Sequence, residues 1–427
     1  MITIEKIYEL YQKAYTVTTD SRTITPGCVF VALKGEHFDG NDFALKVAED
    51  GVAACVIADR QNLPKRDGLF VVEDSLKALQ ELAKFHREKL GLPIIGITGT
   101  NGKTTTKELV SAVLAKKYHI VFTQGNFNNQ LGVPLTLLRI KPGTEMAVVE
   151  MGASHPGDIN ELTDLGEPNF GMITNIGRAH LRDFGGYEGV IKTKNEMYQY
   201  IGAHNGLLFV NKDNELLMGL ANNINKVTYG TGNNADIQGK MLSANPYLSV
   251  EWNGYKIDTQ LVGDYNFENV MAAICIGTYF KVAANDIVEA LSSYCPTNNR
   301  SQVIETGKNR VIMDAYNANP TSMSHAIRNF RNICKDDNLL ILGDMRELGE
   351  ESEQEHKTII ELIKELGFKK VYLVGSEFSK CSENSEYSTF KNVEELAQYL
   401  QQHPVSGFDI LVKGSNSVHL NKIIDSL

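Results

Sequence analysis

The residues best suited to chemistry stand in one run, Gly96-Ile97-Thr98-Gly99-Thr100-Asn101-Gly102-Lys103-Thr104-Thr105-Thr106. Glycines let backbone N–H groups approach phosphate oxygens, and a helix opening at Gly102-Lys103-Thr104 adds the positive potential of its N-terminus. Lys103 can then reach the β- and γ-phosphates of a nucleotide, and the Thr104 hydroxyl can ligate Mg²⁺. The strict pattern G-x-x-x-x-G-K-S/T is missed by one place, because Ile97 stands where its first glycine belongs. A turn that binds nothing is the bland alternative, and the flanking elements weigh against it.

Those elements form a strand, a turn and a helix. Leu92-Pro93-Ile94-Ile95 reads as a buried strand, and Lys107 to Lys117 has helical spacing with Leu109, Val110, Val113 and Leu114 on one face. Downstream, Met146 to Gly152 reads as a buried strand bearing Glu150 at its end, and Phe170 to Ile176 as another that ends near His180. In a doubly wound sheet the carboxyl ends of the strands share one edge with the phosphate loop, so Glu150 and His180 face the metal of a bound nucleotide. The helix predicted over Glu188 to Ile201 carries Lys192, Lys194 and Glu196, and a solvated face is the ordinary fate of such lysines. Asn266 to Ala273 opens a further helix, with Asn266 and Asn269 one turn apart.

At 427 residues the chain is long enough for two or three domains. A formal net charge of −10 argues against a sequence-independent hold on nucleic acid, and no apolar run approaches the ~20 residues of a membrane span. Met1-Ile2-Thr3-Ile4-Glu5 lacks the basic and apolar regions of a signal peptide, and the six cysteines are scattered without a C-x-x-C pair. A soluble cytoplasmic protein is expected. Residues 1 to 85 alternate short strands and helices; there Asp20-Ser21-Arg22 and the Gly35 to Gly40 loop could hold a phosphate-bearing ligand, although a solvated turn is the better reading of those residues alone. From about residue 300 strands and amphipathic helices alternate regularly, as in a second doubly wound parallel sheet. Its strands run into polar or glycine-bearing loops at one edge, Asp314 to Pro320, Gly343 to Glu347, Val374 to Ser376 and Lys413 to Ser417.

The run Gly96 to Thr106 resembles the ATP loop of the Mur ligases and folylpolyglutamate synthases, displaced glycine included. Gly125-Asn126-Phe127-Asn128-Asn129, Glu150-Met151-Gly152-Ala153, Ala179-His180-Leu181, Asp314-Ala315-Tyr316-Asn317-Ala318-Asn319-Pro320, Leu342 to Gly349 and Lys413-Gly414-Ser415 narrow the resemblance to the D-alanyl-D-alanine-adding branch of the Mur ligases. It spans Asp20 to Lys413. It departs at Tyr265, where the family often has histidine, and at Asn416, where arginine is common.

The resemblance implies an α/β chain of three domains: a small UDP-substrate domain over 1–85, a central P-loop ATPase with a mainly parallel sheet over 86–299, and a Rossmann-like domain over 300–427. It implies ATP held by Gly99 to Thr105, by Asn269 at the adenine, and by Arg300 and Asp314. It puts Ser21 and Arg22 at the UDP-sugar, overturning the solvated-turn reading, and Asn128 and Asn129 along the sugar-peptide. Asn317, Asn319 and Arg346 go to the acceptor. The implied reaction makes an acyl phosphate on UDP-N-acetylmuramoyl-tripeptide, which the amine of D-alanyl-D-alanine attacks; a monomer is expected. Two Mg²⁺ ions are implied, one at Thr104 and Glu150 and one near His180, the second with Lys194 carbamylated by CO₂. An ordinary lysine is only about one part in a thousand neutral near pH 7.4, so metal binding is expected to drive the adduct. Lys194 is favoured over Lys192 by its alignment with His180 and Glu196. The competing readings are a sister ligase that adds the third-position diamino acid or glutamate to folate, a P-loop kinase or switch, and a binding module without catalysis.

Overall fold

The computed structural model describes residues 2–178, 181–297, 299–382 and 386–427. It contains three sheets, of four, nine and six strands.

The first sheet is wholly parallel and runs in chain order through Val17–Thr18, Val29–Val31, Cys55–Ala58 and Leu69–Val71. Side chains alternate across a strand, so its residues divide between two cores. Phe30, Val56 and Ala58 pack with Ala44 and Val47 of the helix Asn41–Asp50. Val29, Val31, Cys55 and Ile57 instead join Leu79, Leu82 and Ala83 of the helix Ser75–Leu90, in a cluster that continues to Leu137, Val149 and Met151 beside the second sheet. A polar pin crosses the same seam: the Tyr11 hydroxyl donates to the Leu138 carbonyl at 2.8 Å, and His86 Nε2 lies 2.9 Å from the Ile140 carbonyl. Tyr11→Phe would strip a buried carbonyl of its donor, so a loss of ~1–2 kcal/mol is expected, read as a lower urea midpoint with kcat unchanged.

The second sheet is parallel from its Ile120–Phe122 edge through Met146–Glu150, Ile94–Thr98, Phe170–Ile173, Leu207–Asn211 and Lys226–Gly230 to Ile237–Ala244. Tyr247–Trp252 and Tyr255–Val262 then add antiparallel strands. Ile94–Thr98 and Met146–Glu150 are buried along their whole length because helices cover both faces, which is why they read as continuous apolar runs. The helix after the phosphate loop spans Lys103–Leu114; the periodic segment expected to reach Lys117 stops three residues earlier. Beside it, Asn266–Tyr279 is apolar on nearly every side, since it is wedged into the core between that helix and the sheet.

The third sheet runs Gln302–Glu305, Arg310–Asp314, Asp409–Lys413, Asn338–Gly343, Val371–Val374 and Ser388–Phe390. All its pairings are parallel except the first, an antiparallel hairpin that the periodicity did not reveal. Its two-residue turn is Gly307-Lys308, with Gly307 at φ +80°, and Gln302–Glu305 is short and half exposed, too weakly patterned to stand out. Pro320–Ile333 and Ser352–Glu365 cover one face and Val393–Gln402 the other.

Candidate nucleotide and ligation site

The phosphate loop is held by the strand beside it. Thr100 N donates to the Asn175 carbonyl at 2.9 Å, Asn101 N to Asn175 Oδ1 at 3.0 Å, and the Thr174 hydroxyl to the Asn101 carbonyl at 2.6 Å. Gly99, at φ +141°, lets the loop pass so close that a Cβ would lie 2.0 Å from Thr174 Oγ1. Gly99→Ala is therefore expected to weaken ATP binding about tenfold or more, measured by calorimetry, with the first sheet's stability unaffected. Lys103 Nζ donates to the carbonyls of Gly99 and Thr100 at 2.8 and 2.9 Å. Burial pulls its pKa down, Glu150 opposes that, and Arg300 adds to it.

Glu150 ends its strand with the carboxylate buried. Asn128 Nδ2 donates to Oε1 at 2.8 Å, the backbone N–H of Glu150 is taken by the Thr123 hydroxyl at 2.9 Å, and Oε2 has no hydrogen-bond partner among the described residues. An orphaned carboxylate oxygen is expensive, and a cation is what would satisfy it. With the Thr104 hydroxyl nearby on the same cleft, the donors are hard oxygens that suit Mg²⁺. Among the described residues no group of three or more His, Cys, Asp or Glu is gathered for a metal.

The helix Tyr187–Ala203 puts Lys192 in solvent and Lys194 inside. Lys194 is 3% exposed, and its ammonium lies 5.6 Å from the centre of the Phe184 ring. Burial above all, then repulsion from Lys103, pushes its pKa down to about 7, against the pull of Asp158 and Glu196. An amine with that pKa is about half neutral at neutral pH, so desolvation supplies the reactive form that metal binding was expected to draw out. Glu196 accepts the N–H groups of Gly157 and Asn160 at 3.0 and 2.9 Å, and so caps the helix Asp158–Gly166. His180 lies outside the described residues.

The third sheet brings the opposite wall. Arg300 stacks on Tyr316, its guanidinium carbon 3.7 Å from the ring centre, and Nε has no partner among the described residues. Asp314 accepts from Lys413 Nζ at 2.5 Å and from Ser301 N at 3.1 Å, while Tyr265 OH and Ser301 Oγ lie 2.7 Å apart. Tyr316, Lys413 and Tyr265 had no assigned role in the sequence; the Asp314 and Lys413 blocks were the only signals. Asn319 caps the helix Pro320–Ile333 and donates from Nδ2 to Asn101 Oδ1 at 2.8 Å, joining this wall directly to the phosphate loop. A cleft of about 830 Å³ lies between the walls, lined by Thr100 to Thr105, Asn128, Asn129, Glu150, Asn269, Arg300, Asp314, Asn317 and Asn319.

Other expected residues stand elsewhere or are engaged. Ser21 and Arg22 are not on this cleft; Arg22 forks onto Asp20 at 2.7–3.1 Å on the first sheet's surface. Lys194 is buried and is not among the residues that line the cleft. The Asn129 side chain accepts from Gly132 N at 2.9 Å, and Asn317 Oδ1 from Ala318 N at 2.9 Å. Asn269 has both ends of its amide in use, accepting from the Thr106 hydroxyl at 3.0 Å and donating to Asn266 at 2.9 Å.

The chain matches three family models: Mur ligase family, catalytic domain, over residues 13–93; Mur ligase middle domain over 97–277; and Mur ligase, glutamate ligase domain, over 299–416. The UDP-N-acetylmuramoyl-tripeptide--D-alanyl-D-alanine ligase of Bacillus subtilis is 36% identical, over 96% of this chain and 92% of the relative. MurF from Acinetobacter baumannii has a similar structure, with TM-score 0.85 and 30% identity over 96% of this chain and 92% of that one. The MurF ligase of Thermotoga maritima, solved in complex with ADP, gives TM-score 0.84 at 27% identity over 100% of this chain and 98% of that one.

Proposed function

The chain belongs to the Mur ligase family, and from that premise we propose that it joins D-alanyl-D-alanine to UDP-N-acetylmuramoyl-tripeptide at the expense of ATP, for peptidoglycan synthesis. The observation that carries this reading is the end-to-end likeness to relatives bearing that activity in their names. We include in the proposal a division at residues 85 and 299, a monomer, and a cytoplasmic setting without nucleic acid. No helix of the described residues is long and apolar enough to cross a membrane.

In the proposed reaction the tripeptide's terminal carboxylate attacks the γ-phosphorus of ATP, the bond to the ADP oxygen breaks, and an acyl phosphate forms. The dipeptide amine then attacks the acyl carbon, gives up a proton, and phosphate departs from the tetrahedral intermediate. Two anions must meet in the first step, so positive charge and fixed position are the main demands. In this reading Lys103 exchanges its two loop carbonyls for phosphate oxygens, and Arg300, stacked on Tyr316, meets phosphate from the opposite wall. Asn128 keeps Glu150 oriented, and Asn319 holds the loop against the third sheet, narrowing access of water to a hydrolysable acyl phosphate. Mg²⁺ at Thr104 and Glu150, and a second ion at carbamylated Lys194, would supply charge neutralisation at the reacting oxygens. Carbamylation itself needs the neutral Lys194 amine to attack the carbon of CO₂ and lose one proton, leaving an N-carboxylate.

The test is phosphate release from ATP plus UDP-N-acetylmuramoyl-tripeptide, with and without D-alanyl-D-alanine, followed by mass spectrometry. Dipeptide-dependent release with a UDP-pentapeptide product is expected. A product formed only from the muramoyl-dipeptide and a diamino acid would overturn this reading in favour of the sister ligase.

A further inference from the structure

The turn 344–351, which follows the strand Asn338–Gly343, contains two left-handed residues, Glu347 at φ +67° and Gly349 at φ +59°. A non-glycine residue in that region stores strain and persists only where its surroundings over-determine it. Three anchors do so here. The buried Asp344 carboxylate accepts the N–H groups of Glu377 and Phe378 at 3.1 and 2.9 Å. The Ser415 hydroxyl accepts Arg346 N at 2.9 Å. The third is His356, fully buried on the helix Ser352–Glu365, whose Nε2 accepts Met345 N–H at 3.1 Å.

That last bond fixes the imidazole. Nε2 accepts a hydrogen bond from the Met345 N–H and so bears no proton of its own, which leaves the ring proton on Nδ1, 2.7 Å from the Ser352 carbonyl that accepts its hydrogen bond. The far end of the turn meets the second sheet's domain. A Cβ on Gly349 would lie 3.0 Å from the Arg182 side chain, and Glu351 is 3.9 Å from Arg178. Arg178 and Arg182 flank the segment in which His180 was expected to act.

From this geometry we propose that His356 is a positioning residue for ligation: neutral, with its proton on Nδ1, it holds the turn 344–351 in the form that docks against Arg178 and Arg182. The inference rests on the ligase reading for its catalytic consequence and on the structure alone for the docking. A second proton on the ring would set an Nε2–H against Met345 N–H, donor against donor. The imidazolium would then turn to Asp344, 3.9 Å away, whose carboxylate is already committed to the helix Ser376–Cys381. The charged groups facing His356 are Asp344 and Glu377, which favour its protonation, and Arg346, which opposes it; burial outweighs them and lowers its pKa. The folded state therefore binds fewer protons than the unfolded one. The docked turn is fully held above the ordinary histidine pKa, about 6.5, and is released as pH falls from there through the lowered value.

Two variants separate this role from simple packing. In His356→Gln the amide carbonyl can take the place of Nε2 and nothing titrates; His356→Asn is shorter, can satisfy Ser352, and leaves Met345 N–H unpaired. The full-length protein is assayed between pH 5.5 and 8 with each substrate varied in turn. His356→Asn is expected to raise the dipeptide KM about tenfold, with the KM for ATP and for the UDP-substrate little changed. His356→Gln is expected to restore that KM and, having no ring to titrate, to keep it below the wild-type value as pH falls towards 5.5. Hydrogen exchange followed by mass spectrometry on residues 344–351, without substrates, should show protection lost in His356→Asn and kept in His356→Gln. Equal behaviour of the two variants in exchange and kinetics, or a dipeptide KM in His356→Gln that rises with falling pH as steeply as the wild type's, overturns the proposal. Absence of pentapeptide in the wild type would instead sink the ligase reading and leave the exchange comparison to judge His356.

Discussion

Lys194→Ala should lower kcat for pentapeptide formation by about 10³-fold or more, while Lys192→Ala stays within about twofold of the wild type. The two lysines lie two residues apart on one helix, so they face different ways: Lys192 is in solvent and Lys194 is buried. A buried ammonium without a carboxylate partner costs free energy, and a chain retains it where the amine itself is used. Its pKa near 7 makes that amine available to CO₂ at neutral pH, and the product exchanges a buried cation for an oxygen anion. The corresponding condition experiment uses no mutation. In buffer stripped of CO₂ the wild type should slow, and bicarbonate should restore the rate, while Lys194→Ala should respond to neither. An inactive Lys192→Ala beside an active Lys194→Ala would refute the assignment, and so would a wild type indifferent to bicarbonate with an unmodified Lys194 by mass spectrometry.

Glu150→Gln is the second large effect expected, a fall in kcat of about 10²–10³-fold together with a higher Mg²⁺ requirement. The substitution keeps shape, and the new amide oxygen can still accept from Asn128, so the strand end should stay in place. What disappears is the charge on Oε2, the oxygen that has no partner among the described residues. The same reasoning gives an opposite sign for stability. A buried carboxylate oxygen without a donor destabilises the fold, so Glu150→Gln should melt higher than the wild type when Mg²⁺ is absent, by ~1–2 kcal/mol of unfolding free energy. Calorimetry with and without Mg²⁺ checks this. If the variant retained full activity, or melted lower without Mg²⁺, Glu150 would be a structural strand end and no metal ligand.

Most of the architecture was legible because it is written locally. The buried strands Ile94–Thr98, Met146–Glu150 and Asn338–Gly343 are unbroken apolar runs, and the helices Pro320–Ile333 and Ser352–Glu365 carry a helical apolar stripe. The element that escaped, Gln302–Glu305, is a half-exposed edge strand with no core to impose a pattern on it. Asn269, assigned by its motif to the nucleotide, does line the cleft, and packing adds what the motif did not show, its amide bonds to Thr106 and Asn266.

The sequence by itself determined the phosphate loop, the carboxylate that ends a neighbouring strand, and the family. Each is a short contiguous signal, set by the backbone freedom of glycine and by which side chains follow it. The tertiary structure decided which lysine is desolvated, that Asn128 holds Glu150 from 22 positions away, and that Asn319 reaches Asn101 across 218. Desolvation and hydrogen-bond partnership are properties of what covers a residue rather than of the residue. They exist only once distant segments have packed together.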